Sequence, residues 1–586
     1  MASSTSSDWL ANKRLFRWHG WIGLNLGLLL FLVCFSGTIA VFSWEIDWVV
    51  DPALRVEADS VHWTAVADSV EAAYPNHVVT FLAGPRHDGF AALAYATDPA
   101  GRLVKLWVHP ETGAVQKRGS YWTVQRFFRS FHRRMLIPNP VGILWVTFFA
   151  FILAGSAITG ILFYKGWYRN LFRWRWHDVR LFFSDGHRLA GVWSLAFATI
   201  IVASSIWYGV ELLAPAPSGP AGSIGNDAKV ERGPTPHLLP LGKQVDRAKA
   251  AFPGVQVKDV IPGTATRPTH VRGQADAWLV RPRANTVRVD PVTGEVLSVQ
   301  RGTDLGLHHR IADMADPLHF GTFGGLGSQA AWGVFGLLLS SLMLTGGWLW
   351  HLRAEKKARA AGADRHPRWG YAAAFLPVAV LLASAVFGYL EVENYYRKSD
   401  APRRVEATTH TVGPWQARLL RMTPPDTSQS PVYRVLFEGP DGATGNLKSA
   451  TLRWTGAPDS TAAPLNPQVP VTEILRDAPS PHDSTLTITA TTWNDHTHRD
   501  TIAAVPGEQS PASAARATAL PIPPVPTGVW VVIGFFSTLT IGIAGGWLVV
   551  AQRTARRRAE IDAASSDRES EAVPVSADLP TPSQRE

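Results

Sequence analysis

The chain has 586 residues, of which 18% are charged, and carries a net charge of +9 at pH 7. Its mean hydropathy of +0.01 is compatible both with an ordinary soluble protein and with a membrane protein that has large polar domains. The charged residues are unevenly spread, because six segments of twenty or more residues contain no Asp, Glu, Lys or Arg: 21–43, 141–164, 189–210, 329–350, 371–390 and 527–550. At roughly 1.5 Å per residue, each can cross a hydrocarbon core about 30 Å thick. This pattern excludes a purely soluble protein.

Basic residues predict the topology. They cluster at every second boundary of the apolar segments, within 13–17, 165–188, 353–368 and 553–558. By the positive-inside rule, these segments and both termini are expected in the cytoplasm, and the long connections 44–140, 211–328 and 391–526 in the periplasm. The first apolar segment lacks a small-residue cleavage site, so we interpret it as a retained helix. The predicted location is the inner (cytoplasmic) membrane, with the lipid bilayer as a partner. The positive charge marks a membrane face, and nucleic acid is not an expected partner.

Cysteine content limits the possible metal chemistry. Cys34 is the single cysteine and lies inside the first apolar segment. The sequence therefore excludes an intrachain disulfide, a cysteine-ligated zinc site and an iron–sulfur cluster. We interpret Cys34 as a small buried apolar residue.

An internal duplication organises the first 355 residues. RWHGWIGLNLG, which contains His19, matches DGHRLAGVWSL, which contains His187. FHRRMLIPNPVGILW, with His132, matches LHFGTFGGLGSQAAW, with His319. The second and fourth apolar segments close with SAITGILFY and LMLTGGWLW, and the connections contain VHPETGAV and VDPVTGEV. Both halves enter the membrane in the same direction, so we expect parallel repeats related by an axis along the membrane normal.

The long connections have their own patterns. In the first, residues 63–74 are helix-like and 77–83, 89–96 and 103–109 are strand-like, and this order recurs in 241–251 and 255–300. Gly113 and Gly294 suit a hairpin position with positive φ. The third connection is strand-like over 405–510 without the matching turn. Residues 215–236 are a Pro/Gly/Ser linker, and 559–586 are a polar tail predicted to be disordered.

These motifs in duplicated order resemble the PepSY-associated transmembrane family over about residues 10–355. The resemblance implies an iron-regulated inner-membrane protein similar to ferric-siderophore reductases that carry b-type haem. The fold class expected is a membrane all-α core of six transmembrane helices, in which a duplicated four-helix haem-binding core is joined by one extra helix pair. Periplasmic α+β PepSY-like domains and a β-rich periplasmic appendage complete it. The expected transmembrane helices 1 to 6 are 21–43, 132–164, 189–210, 319–350, 371–390 and 527–550. The segments expected in the cytoplasm are 1–20, 165–188, 351–370 and 551–586. The domains expected in the periplasm are 44–131 and 211–318, which are PepSY-like, and the β-rich 391–526.

Four histidines are the candidate cofactor ligands. His19 and His187 are expected at the cytoplasmic ends of helices 1 and 3, and His132 and His319 at the periplasmic ends of helices 2 and 4. The repeat axis would then form one pair at each membrane face. Two imidazoles that face each other can hold a haem iron from both sides, which leaves no open iron site and favours electron transfer. We therefore expect two haem b groups per chain.

Several arginines and three further histidines near the four candidate ligands are candidates for other roles in the site. Arg17 and Arg188 on the cytoplasmic side, with Arg133, Arg134 and Arg310 on the periplasmic side, are possible partners for haem propionates. His308 and His309 precede His319 and are alternative ligands or substrate contacts. His351 also lies at a membrane boundary, but its repeat counterpart is Lys165, which disfavours it as a ligand.

The resulting hypothesis is a ferric-chelate reductase. Electrons would pass from a separate cytoplasmic reductase or a membrane quinol to a periplasmic ferric siderophore or other ferric chelate, with release of Fe(II). The donor is expected to be separate because no GxGxxG fingerprint follows a strand. An alternative is a membrane-anchored peptide- or protease-binding module without redox activity. A metal permease is a third alternative, disfavoured because the apolar segments contain no carboxylates.

Overall fold

A computed structural model describes most of the chain. The described residues are 3–73, 78–97, 103–164, 166–213, 238–264, 267–361, 379–393, 404–423, 432–438, 447–454, 463–464, 471–475, 485–492, 496–503, 524–543, 545–546 and 549. The predicted linker 215–236 and polar tail 559–586 lie outside them.

The helical core is built from eleven of the helices found in the described residues. They are α1 (Ser3–Asn25), α2 (Gly27–Val41), α3 (Ser43–Val50), α5 (Val124–Arg134), α6 (Val141–Phe163), α7 (Val179–Trp193), α8 (Leu195–Leu213), α10 (Leu307–Phe320), α11 (Gly325–Ala361), α12 (379–393) and α13 (Thr527–Ile543). Helices α4 (Trp63–Ala73) and α9 (Leu241–Ala251) belong to the soluble part. The closest packing joins α2 to α11, α6 to α8, α1 to α6 and α7 to α11, so each repeat contributes helices that contact the other repeat.

Three helices in the described residues are long and apolar enough to cross a membrane. They are Val141–Phe163, Leu195–Leu213 and Thr322–Trp350, and a fourth span results if the bent pair Lys13–Asn25 and Gly27–Val41 counts as one. Helix α6 leaves Phe148, Phe151, Ile158 and Leu162 more than half exposed, as a lipid-facing surface requires. The protein is therefore a membrane protein. Part of the predicted fifth span, 371–378, lies outside the described residues, and the sixth is described as a helix of 17 residues, Thr527–Ile543.

Each histidine of the duplicated motifs lies on a helix that is separate from the long span. A break at Leu26 bends α1 from α2 by 66°, and a break at Ser194 separates α7 from α8. Both breaks fall seven residues after the histidine, at equivalent positions of the two repeats. Similarly, His132 lies on α5 and His319 on α10, each before a turn that leads into the long helix. All four predicted helices of the repeats are thus divided: 21–43, 132–164, 189–210 and 319–350.

The two α+β units predicted in the first and second connections form one continuous sheet. Its strands are β1 (Val78–Ala83), β2 (Ala92–Thr97), β3 (Leu103–Val108), β4 (Val115–Arg118), β5 (Gln256–Ile261), β6 (Thr269–Gln274), β7 (Asn285–Val289) and β8 (Val296–Gln300). The order is β4-β3-β2-β1-β5-β6-β7-β8, and the units join where β1 pairs antiparallel with β5, Leu82 opposite Val260. Helices α4 and α9 share one apolar core with this sheet. The pairing of β1 with β5 therefore joins the two units across the repeats.

The turns before β4 and β8 have glycine at a position of positive φ, as predicted. Gly113 and Gly294 have φ of +76° and +74°, a conformation that favours glycine. A Cβ at Gly113 would also lie 2.1 Å from the Ala65 carbonyl oxygen. These turns therefore need glycine for backbone conformation and, at Gly113, for space.

The third connection is β-rich, as its sequence pattern predicts. It contains β9 (Arg404–Val412), β10 (Trp415–Thr423), β11 (Val432–Glu438), β12 (Leu447–Trp454), β13 (Ala463–Pro464), β14 (Val471–Leu475), β15 (Thr485–Thr492) and β16 (Thr497–Ala503). These strands form two antiparallel sheets of four, ordered β14-β11-β10-β9 and β13-β12-β15-β16.

One carboxylate links the first span to the helix that carries His132. Asp47 on α3 is 2% exposed and accepts hydrogen bonds from the backbone N–H groups of Val124 and Gln125, at 2.6 and 3.0 Å. Burial raises the pKa of Asp47 to about 6, while these N–H groups and the ammonium group of Lys105 favour its charged form. Asp47 therefore satisfies first-turn donors of α5 that would otherwise be unpaired.

We expect Asp47→Ala to destabilise the protein by about 1–3 kcal/mol, because it leaves two first-turn N–H groups of α5 without an acceptor, one of them buried. Thermal unfolding of the detergent-solubilised protein at pH 8 measures the effect as a lower Tm. The control is Asp178→Ala, which removes the exposed cap of α7 on Leu181 and should cost about 1 kcal/mol. A Tm loss in the control equal to or above that of Asp47→Ala would contradict the assigned role of Asp47.

Candidate functional site

His19 and His187 form a pair between the two repeats. Their ring centroids lie 6.2 Å apart, with an interplanar angle of 80°. His19 is on α1 and His187 on α7, so each repeat contributes one imidazole. Both side chains are half-buried. The juxtaposition predicted from the duplication is therefore present.

His132 and His319 form the second pair in the same way. Their ring centroids lie 6.0 Å apart, with an interplanar angle of 39°. His132 is on α5 and His319 on α10, at the side of the helical core that leads into the eight-stranded sheet, which we call the sheet side. The opposite side, which carries His19 and His187, is called the basic side because Lys13, Arg14 and Arg17 lie there.

Both separations suit two imidazoles that share one metal ion. A metal–imidazole bond is about 2.0 Å long and a ring nitrogen lies about 1.1 Å from its own centroid, so opposed axial ligands have centroids about 6.2 Å apart. The structure gives 6.2 and 6.0 Å. Within the described part of the chain, no group of three or more His, Cys, Asp or Glu residues could hold a metal ion. Each pair offers two imidazole nitrogens, which are donors of the kind that bind haem iron.

In the first repeat, backbone carbonyls determine which nitrogen carries the proton. Nδ1 of His19 lies 3.0 Å from the Ser156 carbonyl oxygen, and Nδ1 of His132 lies 2.8 Å from that of Val33. A carbonyl oxygen only accepts hydrogen bonds, so Nδ1 must be the donor in both rings. The remaining nitrogen, Nε2, then has a free lone pair and is the one able to bind a metal.

In the second repeat, hydroxyl groups have the same role. Nδ1 of His187 lies 2.9 Å from Oγ1 of Thr345, and Nδ1 of His319 lies 2.9 Å from Oγ of Ser204. Each hydroxyl already donates its hydrogen to a carbonyl of its own helix, at 2.7 Å in both cases. Each oxygen can then accept from Nδ1–H, so the Nδ1–H tautomer of the first repeat also satisfies the contacts of His187 and His319.

Glycines provide space beside three of the four rings. A Cβ at Gly160 would lie 3.4 Å from Cε1 of His19, and a Cβ at Gly346 would lie 3.2 Å from Cε1 of His187. At Gly37 a Cβ would lie only 2.7 Å from Cε1 of His132. The Thr–Gly dipeptides of the duplicated motifs are thus explained in part: glycine lets the imidazole approach the helix, and the preceding threonine lies beside its Nδ1.

The two pairs lie at different levels of the helical core. Gly209 of α8 packs against Thr147 of the antiparallel helix α6. Ser204, which contacts His319, is therefore level with about residue 152 of α6, whereas His19 contacts α6 at Ser156. His19 also lies beside Gly160 of α6, so the difference is four to eight residues, which corresponds to a vertical separation of about 6–12 Å. The two pairs are close to each other compared with the full thickness of a membrane.

Arg188 is the predicted propionate partner whose surroundings best fit that role. It follows His187, donates to the Tyr164 hydroxyl at 3.2 Å and lies 3.6 Å from the Asp185 carboxylate. Its Nε atom is buried without a hydrogen-bond partner among the described residues. A carboxylate near His187 would satisfy this donor.

The other predicted arginines are less suited to that role. Arg17 and Arg133 are exposed. Arg134 forms an ion pair with Glu391 of α12 at 2.8 Å, and Arg310 donates to the carbonyl oxygens of Gly302 and Trp278.

The alternative histidines lie elsewhere. His308 is exposed and contacts the Trp207 ring at a centroid distance of 5.4 Å, and His309 contacts His308. Among the described contacts, neither ring meets His132 or His319. The side chain of His351 lies outside the described residues.

Several residues beside the histidine pairs could not be identified from any single sequence motif. The guanidinium group of Arg353 acts electrostatically on both His19 and His187. Beside His319, the Tyr208 ring lies at a centroid distance of 5.4 Å and its hydroxyl donates to Asp316 at 2.7 Å. Alignment of the repeats identifies Thr345, because it is the counterpart of Thr159, but no motif identifies Tyr208.

We expect Gly37→Ala to displace His132, since the new methyl group overlaps its ring, and to cost about 1–3 kcal/mol of stability. The matched control on the same helix is Gly27→Ala, whose Cβ would meet its nearest atom, the Met343 carbonyl oxygen, at an ordinary 3.8 Å. Thermal unfolding in detergent should give a lower Tm for Gly37→Ala alone. Equal Tm values for the two variants would show that Gly37 does not accommodate His132.

Comparison with known proteins agrees with the duplicated motifs. The profile of the PepSY-associated TM region family matches residues 16–353, which include all four paired histidines, both α+β units and helix α11 up to Arg353. Among curated proteins, none matches the chain. The matched region is more than half of the chain, and the chain belongs to the PepSY-associated transmembrane-region family.

Proposed function

We propose that this protein transfers electrons across the inner membrane through two b-type haems and reduces a periplasmic ferric chelate, with a ferric siderophore as the expected substrate. The observation that carries the proposal is the pairing of His19 with His187 and of His132 with His319, at centroid separations of 6.2 and 6.0 Å. His19 with His187 and His132 with His319 would hold the two haems, and each haem would supply a one-electron carrier.

The surrounding residues support this role. Hydrogen bonds at all four Nδ1 atoms leave Nε2 available for iron, and they also limit rotation of the rings. The vertical offset of the pairs, about 6–12 Å, gives two adjacent carriers along the membrane normal. The α+β units and the remaining helices would keep the two repeats in register.

The direction of transfer follows from charge. We infer that the basic side faces the cytoplasm, by the positive-inside rule, and that the sheet side faces the periplasm. The His19–His187 site would then receive electrons from a cytoplasmic reductase or a membrane quinol. The His132–His319 site would pass them to the acceptor.

Helix α5 supports an anionic acceptor. Arg126, Arg129 and Arg133 recur along its exposed face, on the same helix as His132. The Arg126 guanidinium lies 3.9 Å from the centroid of the Tyr121 ring. A stripe of exposed positive charge beside the terminal carrier would attract a negatively charged ferric chelate. Such chelates release iron on reduction because their hard oxygen donors bind Fe(II) more weakly than Fe(III).

The purified protein should contain two haems per chain by the pyridine haemochrome assay, with a low-spin b-type α band after dithionite reduction. His132→Ala or His319→Ala should remove one haem, and His19→Ala or His187→Ala the other, because each pair loses one axial ligand. His308→Ala is the control and should retain both haems.

A colourless protein from haem-replete cells would refute the haem proposal. A wild-type count of one haem would restrict binding to a single pair. Loss of a haem in His308→Ala would indicate that His308 is itself a ligand.

Reduction of the acceptor needs its own test. Dithionite-reduced protein, freed of excess reductant, should be reoxidised by a ferric hydroxamate chelate, with Fe(II) trapped by a chromogenic chelator in a one-electron stoichiometry. The gallium(III) form of the same chelate is the control, because it cannot accept the electron. Replacing Arg126 and Arg129 together by Gln should slow reoxidation several-fold at low ionic strength and less at high salt. An unchanged haem spectrum after addition of the ferric chelate would exclude this substrate class.

A further inference from the structure

The two repeats hold their paired histidines through different chemical groups at equivalent positions. At the sheet side, Ser36 of the first repeat corresponds to Ser204 of the second. The Ser36 hydroxyl donates to the Val33 carbonyl oxygen at 3.0 Å, and His132 bonds directly to that same oxygen. In the second repeat, the Ser204 hydroxyl lies between the helix carbonyls and Nδ1 of His319.

The basic side shows a smaller difference of the same kind. Thr159 of the first repeat corresponds to Thr345 of the second. The Thr159 hydroxyl donates to the Ser156 carbonyl oxygen at 3.0 Å, the oxygen that also accepts from His19, and lies 3.4 Å from Nδ1 of that ring. Thr345 contacts Nδ1 of His187 more closely, at 2.9 Å, and the carbonyl of Leu342, the counterpart of Ser156, also bonds to that ring.

From this contrast we propose that Ser204 and Thr345 are positioning residues that fix the tautomer and the electron-donating strength of His319 and His187, one hydroxyl for each haem. The proposal rests on the proposed haem function. Ser36 and Thr159 have no equivalent role, because the histidines of the first repeat are held by main-chain carbonyls that no side-chain substitution removes.

The physical effect acts through the Nδ1–H bond. An acceptor on Nδ1–H increases electron density on Nε2, makes the imidazole a stronger donor and stabilises the ferric state of a bound haem. Removal of the acceptor weakens this donation, so the midpoint potential of that haem rises. The unpaired Nδ1–H also favours rotation of the ring, because an unsatisfied buried donor is costly.

The test compares Ser204→Ala with Ser36→Ala in the purified holoprotein, using potentiometric titration of the haem α bands. Ser204→Ala should raise the midpoint potential of the haem that is lost in His132→Ala and leave the other unchanged. Ser36→Ala should shift neither, and Ser204→Thr, which keeps the hydroxyl, should restore the wild-type midpoint. These readouts are independent of ferric-chelate reduction.

A second pair of variants tests the other site independently. Thr345→Val should raise the midpoint of the haem lost in His19→Ala, and Thr159→Val should change it less. Because the Leu342 carbonyl also bonds to His187, the Thr345→Val shift should be smaller than that of Ser204→Ala. Thr345→Ser should restore the wild-type value.

The outcomes separate this inference from the function on which it rests. A wild-type protein without haem refutes the proposed function. A protein with two haems in which Ser204→Ala and Thr345→Val leave both midpoints unchanged refutes the inference alone. Equal shifts from Ser36→Ala and Ser204→Ala would also overturn it, since they would indicate a general effect of polarity in the core. If Ser204→Ala does not accumulate, the Thr345 and Thr159 variants decide between these outcomes.

Discussion

The contact between imidazoles from opposite repeats is the constraint on which the rest of the structure depends. His19 must reach His187, and His132 must reach His319, across a helical core in which a buried imidazole is costly unless its nitrogens are paired. The protein satisfies Nδ1 of each ring from a neighbouring helix. At three of the four rings, close approach of those helices needs glycine beside the imidazole. Histidine, hydrogen-bond acceptor and glycine therefore form one unit, repeated with variations at both sites.

Much of this site could be predicted because duplication makes weak signals reinforce each other. A lone histidine near a membrane boundary has many explanations, but histidines at equivalent positions of two parallel repeats are brought together by the repeat axis. That argument predicted both pairs as neighbours, and the structure places their ring centroids 6.2 and 6.0 Å apart. It also predicted the order of helices and strands in the α+β units and the positive φ of Gly113 and Gly294. These features depend on local pattern and symmetry, which the sequence contains directly.

Features that depend on contacts between distant segments were not predicted. The breaks at Leu26 and Ser194 occur in apolar sequence without proline, so charge and length gave one span where the chain forms two helices. Arg134 was expected to be available for a ligand, but Glu391, 257 residues away, pairs with it. Nδ1 partners such as Ser204 are ordinary small residues in a helix, and only the packing of α10 against α8 distinguishes them.

The junction between β1 and β5 has a consequence for how a single repeat would behave alone. β1 and β5 are equivalent strands, and an antiparallel pair of equivalent strands has twofold symmetry. One repeat on its own would expose β1 as an unpaired sheet edge and would hold one imidazole of each pair. A second identical copy would cover the edge and complete both pairs through one isologous contact. The covalent duplication thus has the geometry of a symmetric dimer, in which the partner's local concentration no longer depends on how much protein is present.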